Sequence, residues 1–218
     1  MKTRSPGIRG QKKLKQPSKR NLIVAAASEL FSTRGYVASS MEDIALAPRL
    51  SKGAIYHYFT GKDEILYAIC SEYVGFDVEN LEQELKAVKG GLEKLRHIIS
   101  RHVSHYTAHA HAAKTLLNEA YNLPPKHFKK VKETERRYYR IVTDVLSEFL
   151  GPGVGKEEVT VLAFNLFGMC NWIFSWYNPK GRVPPERLSA LIFDVFTGGI
   201  SSIQKVNRSA GHSQLHSQ

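Results

Sequence analysis

Between residues 18 and 62 the apolar period fits three short helices, with a tight turn between the second and the third. Leu22, Ile23, Ala26, Leu30 and Phe31 repeat at three and four, from a cap near Ser18 to a stop at Gly35. Ser40 begins the second helix, with Asp43 at its third position, where a carboxylate meets the exposed amides of the first turn. Pro48 ends it. The third follows Ser51 and closes at Phe59, before Gly61. Such an arrangement is a helix-turn-helix unit, in which Ile44, Ala45, Ile55 and Phe59 bury a small core.

Beyond it the period stays helical, without strand alternation or internal repeat. Ile65, Leu66, Ile69, Tyr73, Phe76, Leu81 and Leu85 predict a fourth helix from Gly61 to about Val88, stopped by Gly90-Gly91. Further helices are expected at about 91–110, 112–122, 125–150, 156–177 and 185–203, separated by Pro124-Pro125, Gly151-Pro152-Gly153 and Asn178-Pro179-Lys180-Gly181. The fold class is all-α: an N-terminal helix-turn-helix domain (18–62) and a larger helical ligand-binding and dimerisation domain (63–203). Residues 1–17 read as a disordered basic arm and 204–218 as a disordered polar tail.

Charge separates the two domains. The chain of 218 residues carries +11 overall, and +9 of that falls within residues 1–62. The first 20 residues hold eight basic side chains and no acid. Such a segment is drawn to a polyanion. No run reaches the roughly 18 unbroken apolar residues of a membrane span, and no apolar stretch follows the basic N-terminus as in a secretory signal. Cys70 and Cys170 are too few for a disulfide scaffold and sit in apolar runs. A cytoplasmic protein with no membrane partner is expected.

The segment Ser39-Ser40-Met41-Glu42-Asp43-Ile44-Ala45, then Ser51-Lys52-Gly53-Ala54-Ile55-Tyr56-His57-Tyr58-Phe59 and Lys62-Asp63-Glu64, closely resembles the DNA-binding domain of TetR-family transcriptional regulators. The resemblance covers roughly residues 18–67. It implies a dimer that reads a palindromic double-stranded operator through the third helix. On that basis Ser40, Tyr56, His57 and Lys62 are expected to hold phosphates, and Lys52 and Gly53 to approach base edges, with Ser51 at the same helix end. Tyr58 is expected to face inward. Where family members carry a small residue and then Gly in the turn, this chain has Pro48-Arg49-Leu50, and Arg49 adds a further expected phosphate contact.

The helix expected at 156–177 is apolar nearly all round, which implies burial on two sides. Paired with the last helix it would form a four-helix interface between two copies, as the resemblance also implies, with Leu166, Phe174, Leu191 and Val195 at the contact. Polar residues among apolar ones mark an expected effector pocket: Tyr106, Asn118, Tyr121, Asn171 and Ser175, with Phe164, Phe167 and Trp172 as walls. His102, His105, His109 and His111 have spacings a metal could use, but no Cys and few carboxylates lie near, so no metal site is assigned and the histidines are read as solvated or pocket-lining.

The function expected is a ligand-responsive transcriptional regulator, a repressor and not an enzyme, needing no cofactor beyond a small-molecule effector. The stretch from Phe167 to Asn171-Trp172, running on through Trp176-Tyr177-Asn178-Pro179-Lys180-Gly181-Arg182, resembles regulators that respond to CoA thioesters. An acyl-CoA effector follows, its phosphates met by cations among Arg96, Arg101, Lys114, Arg136, Arg137 and Arg140. The alternatives are a multidrug-sensing repressor of an efflux gene, a DNA-organising protein without effector, and a metal-dependent hydrolase using the histidines. The last leaves the charge asymmetry unexplained, and the DNA-organising reading gives the second domain no purpose.

Overall fold

Ser18 opens the first helix: its side-chain oxygen accepts the Asn21 amide at 3.2 Å, and α1 runs Lys19–Arg34. The computed structural model describes residues 18–47 and 50–214, with backbone alone for 77 and 202–214. The basic arm, Pro48, Arg49 and residues 215–218 lie outside the described residues. α1 stops at Gly35, whose φ of 90° would strain any residue with a side chain. α2 (Met41–Leu46) carries a reciprocal cap: the Ser40 amide donates to Asp43 Oδ2 at 2.9 Å, and the Asp43 amide donates to Ser40 Oγ at 3.1 Å. α3 (Lys52–Tyr56) is capped by Ser51 Oγ, which accepts the Ala54 amide. Phe31, Ile44, Ile55 and Phe59 close the core of these three helices.

The second domain holds α4 (Lys62–Val78), α5 (Leu81–Ala87), α6 (Gly91–Ala108), α7 (Ala110–Glu119), α8 (Pro125–Leu150), α9 (Lys156–Asn171) and α10 (Pro185–Gln214). Short 3-10 turns follow α7 at Ala120–Asn122 and α9 at Trp172–Ser175. No strand occurs among the described residues. α8 packs across α4, α6 and α9; α10 lies along α6; and α7 lies against both α1 and α4. Gly91 permits the close crossing of α6 and α8, since a Cβ there would sit 2.5 Å from the Phe149 backbone nitrogen.

Three boundaries differ from the sequence reading. The expected fourth helix is two, α4 and α5, broken at Asn80 with φ 63°. A tertiary partner stabilises the break: Arg101 donates to the carbonyl oxygens of Phe76 at 2.6 Å and Glu79 at 2.9 Å, satisfying acceptors at the end of α4. The helix expected to reach 177 ends at Asn171 and tightens into the 3-10 turn. The last helix continues to Gln214, so residues 204–214 are helical backbone and not a loose tail. Once a helix is nucleated and packed, each added residue costs little, even in a polar stretch.

Within the protomer α9 is buried on one side and open on the other. Val159, Ala163, Leu166 and Cys170 are buried against neighbouring helices, whereas Val161, Phe164 and Trp172 are about 60% exposed. By length and hydropathy the stretch Lys156–Ser175 is able to cross a membrane. Here its packed side belongs to the helical bundle, against α6, α8 and α10. Among the expected contact residues Leu166 is core at 2% exposed, so it is not available to a partner. Phe174 is half-buried against that core, and Leu191 and Val195 are exposed on α10.

Candidate nucleic-acid interface and effector cavity

The outer face of α3 is open. Tyr56 and His57 are exposed, and a Cβ on Gly53 would meet nothing within 4 Å, so the backbone there is free to approach a surface. Lys52 is exposed and paired with Glu42 of α2, and its ammonium lies 5.9 Å from the Tyr56 ring centroid. A pair this exposed contributes little and exchanges readily for phosphate. Tyr58 departs from its expected inward orientation: it is 39% exposed, with His57 edge-on to its ring at 5.0 Å. Ile55 and Phe59 already fill the inner face of this short helix.

Ser40, Ser51 and Lys62 have structural work to do. Ser40 Oγ serves the cap of α2 and donates to Asp43 Oδ2 at 2.7 Å, and Ser51 Oγ caps α3. Lys62 Nζ donates to the Tyr36 and Ser39 carbonyl oxygens, both at 2.7 Å, and sits 4.2 Å from the Tyr36 ring centroid. That ammonium ties the α1–α2 connection to the start of α4 and does not project as a phosphate ligand. The two carbonyls also remove the difficulty of a cation at a helix N-terminus.

A cavity of about 670 Å³ lies inside the second domain. Tyr106, Phe164, Phe167 and Asn171 line it, together with His102, for which the sequence left a solvated or a pocket-lining place open, and with Tyr138 and Tyr139, which the sequence did not mark as site residues. The remaining expected pocket residues do not. Tyr121 and Trp172 are 72% and 62% exposed, Asn118 and Ser175 are exposed, and the Ser175 hydroxyl donates to the Trp172 carbonyl. The early end of α9 is the reason: the 3-10 turn rotates Trp172 and Ser175 away from the face that holds Phe167 and Asn171. Tyr138-Tyr139 was legible as an aromatic pair between apolar α8 positions, but which face of α8 met a void was not.

The polar centre of the cavity is a neutral chain. His102 Nε2 lies 3.0 Å from Asn171 Oδ1, an atom that can only accept, so Nε2–H donates and Nδ1 accepts the Tyr138 hydroxyl at 3.0 Å. Burial drives the His102 pKa down to about 4, with the Asn171 hydrogen bond opposing, so the ring is uncharged at neutral pH. His105 is likewise driven down to about 4, by burial and then by the charge of His109. Its Nε2 donates to the Tyr73 carbonyl while the ring stacks between Tyr73 and Phe76. His111 instead reaches Ser32 of α1, and no group of three or more potential metal ligands occurs among the described residues.

The charges at the cavity are Lys132, Glu135 and Arg136 on α8. Lys132 and Glu135 pair at 2.6 Å, and Arg136 has no ion pair among the described residues. Of the other expected phosphate-binding cations, Arg101 bonds Glu84 and the α4 terminus, Arg137 grips Glu82 with two nitrogens, and Arg96 lies over the Phe193 ring. Lys114 lies elsewhere, beside α1.

Residues 23–69 match the family described as bacterial regulatory proteins, tetR family, and residues 89–200 match the tetracyclin repressor-like C-terminal domain. The chain belongs to the TetR family. As a TetR-family protein it is a ligand-responsive DNA-binding transcriptional regulator and not an enzyme. It is 24% identical over 195 residues to the transcriptional repressor KstR2 of Mycolicibacterium smegmatis, covering 86% of this chain and 93% of that one. It is 27% identical over 181 residues to the fatty acid metabolism regulator protein of Bacillus subtilis, covering 82% and 93%. A TetR-family regulator from Bordetella parapertussis superposes with a TM-score of 0.77 at 26% identity, covering 81% and 93%. AibR, solved with isovaleryl coenzyme A and operator DNA, shares the fold with a TM-score of 0.70 at 24% identity, covering 82% and 97%.

In this TetR-family chain α7 joins the cavity to α1 of the DNA-binding domain. Ala113, Leu116 and Leu117 face the cavity, while Thr115 Oγ1 donates to the Ser28 carbonyl of α1 at 3.2 Å. The same helix therefore lines the cavity and packs against the DNA-binding domain.

Proposed function

We propose that this chain is a repressor that binds a palindromic operator as a homodimer in the cytoplasm and is released by an anionic, amphipathic effector of the acyl-CoA class. The observation that carries the reading is the charge at the cavity. Its walls are aromatic and apolar, its inner polar chain is neutral, and the one carboxylate lining it among the described residues is already paired with Lys132. Arg136 is left as the unspent charge, and it favours an anion. A chain inside the cavity and a phosphorylated head outside, beside α8, satisfy both parts. The names of the fatty acid metabolism regulator and of AibR with isovaleryl coenzyme A support the class. A multidrug pocket would want an unpaired carboxylate for cationic dyes, and none lines this cavity among the described residues.

The dimer reading rests on the apolar surface left open on α9, the turn that follows it and α10: Val161 and Phe164, Trp172, and Leu191 with Val195. Two copies of this face would bury it in a four-helix contact. Each α3 would then enter successive major grooves, about 34–36 Å apart.

Titrating a protein–operator complex with acyl-CoAs, free fatty acids and cationic dyes tests the effector. Release by thioesters at lower concentration than by free acids supports it. Release by dyes and by no thioester overturns it and leaves DNA binding standing.

A further inference from the structure

A second cavity, about 180 Å³, lies between the two domains. Ser32 and Thr33 of α1 form one wall, Thr107, Ala110, His111 and Lys114 of α6 and α7 another, and Ile173, Phe174, Tyr177 and Pro179 the third. Tyr106 lines both this cavity and the larger one. Its hydroxyl is buried, the residue being 3% exposed; its oxygen lies by the Phe174 backbone, and its hydrogen has no acceptor among the described residues. A buried hydroxyl whose hydrogen finds no acceptor is costly, so its presence calls for an explanation.

The donors of this cavity can be counted. The Ser32 hydroxyl donates to Glu29 O, Thr33 to Glu29 O, Thr107 to Ser104 O and Tyr177 to Val183 O. With its single hydrogen spent, Ser32 accepts from His111 Nδ1–H at 2.7 Å. The unspent donors are therefore the Tyr106 hydroxyl and the Lys114 ammonium, which has no ion pair or hydrogen bond among the described residues. The other side is carbon: Ala110, Ile173, Phe174 and Pro179. The geometry points to a binding site for a short-chain carboxylate, its oxygens on Tyr106 and Lys114 and its alkyl end against Ile173 and Phe174. Inorganic phosphate would strand charge against that apolar wall.

The volume decides the size class. It holds a carboxylic acid of a few carbons and excludes the long or nucleotide-bearing molecule assigned to the larger cavity. Because α1 supplies one wall and α6 and α7 another, an occupant stabilises the present setting of the DNA-binding domain on the effector domain. The site is independent of the acyl-CoA reading and survives its failure.

Butyrate titrated into the full-length protein by calorimetry is the test, with inorganic phosphate as a second arm. Saturable butyrate binding is expected, weakened about tenfold or more by Tyr106→Phe, the loss of one hydrogen bond to a charged group. Lys114→Met is expected to weaken it as strongly, and Ala110→Phe to abolish it by filling the space. Arg136→Ala, at the other cavity, is expected to leave it unchanged. Circular dichroism confirms that each variant is folded, and Tyr106→Phe removes a hydroxyl whose hydrogen has no acceptor and so retains stability. Absence of saturable butyrate binding overturns the proposal. So does binding that is indifferent to Tyr106→Phe and Lys114→Met, or lost with Arg136→Ala, or weaker than that of phosphate.

Discussion

His111 Nδ1 and Ser32 Oγ lie 2.7 Å apart, one on α7 of the effector domain and the other on α1 of the DNA-binding domain. The bond joins residues 79 positions apart in the chain, and Thr115 repeats the connection one helical turn on, at the Ser28 carbonyl. These two contacts stand on the side of α7 away from the effector cavity. They give the two domains a polar coupling that a displacement of α7 has to break.

Ser32→Ala is therefore expected to cost about 1 kcal/mol of stability, by loss of one partly buried hydrogen bond. The sharper readout is coupling. Operator affinity without effector is expected to change little, while the effector concentration needed for release rises severalfold. Gel shifts with and without effector, beside a thermal melt, check both.

Lys62→Ala and Lys52→Ala are expected to behave differently. Lys52 is exposed on α3, so its removal is expected to lower the salt slope of operator binding by about one unit without altering the melt. Lys62 bridges two carbonyls behind the DNA-facing surface, so its removal is expected to destabilise the protein by about 1–3 kcal/mol and leave the slope nearly unchanged. Operator binding at several salt concentrations separates them.

Val161→Glu or Val195→Glu is expected to convert a dimer into monomers, since both side chains are about 60% exposed in the protomer. Leu166→Ala is expected to act on folding instead, costing about 2–5 kcal/mol as a buried large-to-small change. Light scattering reads the first and denaturant unfolding the second.

Stability is expected to fall as pH drops from about 6.5 toward 4. His102 and His105 are held down to about 4 in the fold but titrate near 6.5 when unfolded. In that window the unfolded chain binds more protons, so acid favours it, and the full contribution is present above pH 6.5. Melting temperatures across this range should show the slope, and His102→Gln should reduce it.

Local chemistry explains why so much of the fold is legible in the sequence. Ser18, the Ser40–Asp43 cap, Ser51, Gly35, Pro124-Pro125 and Gly151 act on amides and carbonyls within a few residues of themselves, and each sits at the boundary it signals. The all-α class and the helix-turn-helix follow from such signals and from the apolar period. The break at Asn80 does not, because its stabilising partner is Arg101, more than twenty residues on. Lys62 shows the same limit: its sequence neighbours suggest an outward cation, and the backbone carbonyls that hold it come from another helix connection. Leu166 and Val161 are equally apolar in the sequence, yet one is core and the other open, because the rotation of α9 against α6 and α8 is set by packing. Both cavities belong to that second category. A void is a property of surfaces that fail to meet, and no residue's own chemistry records which surfaces those are.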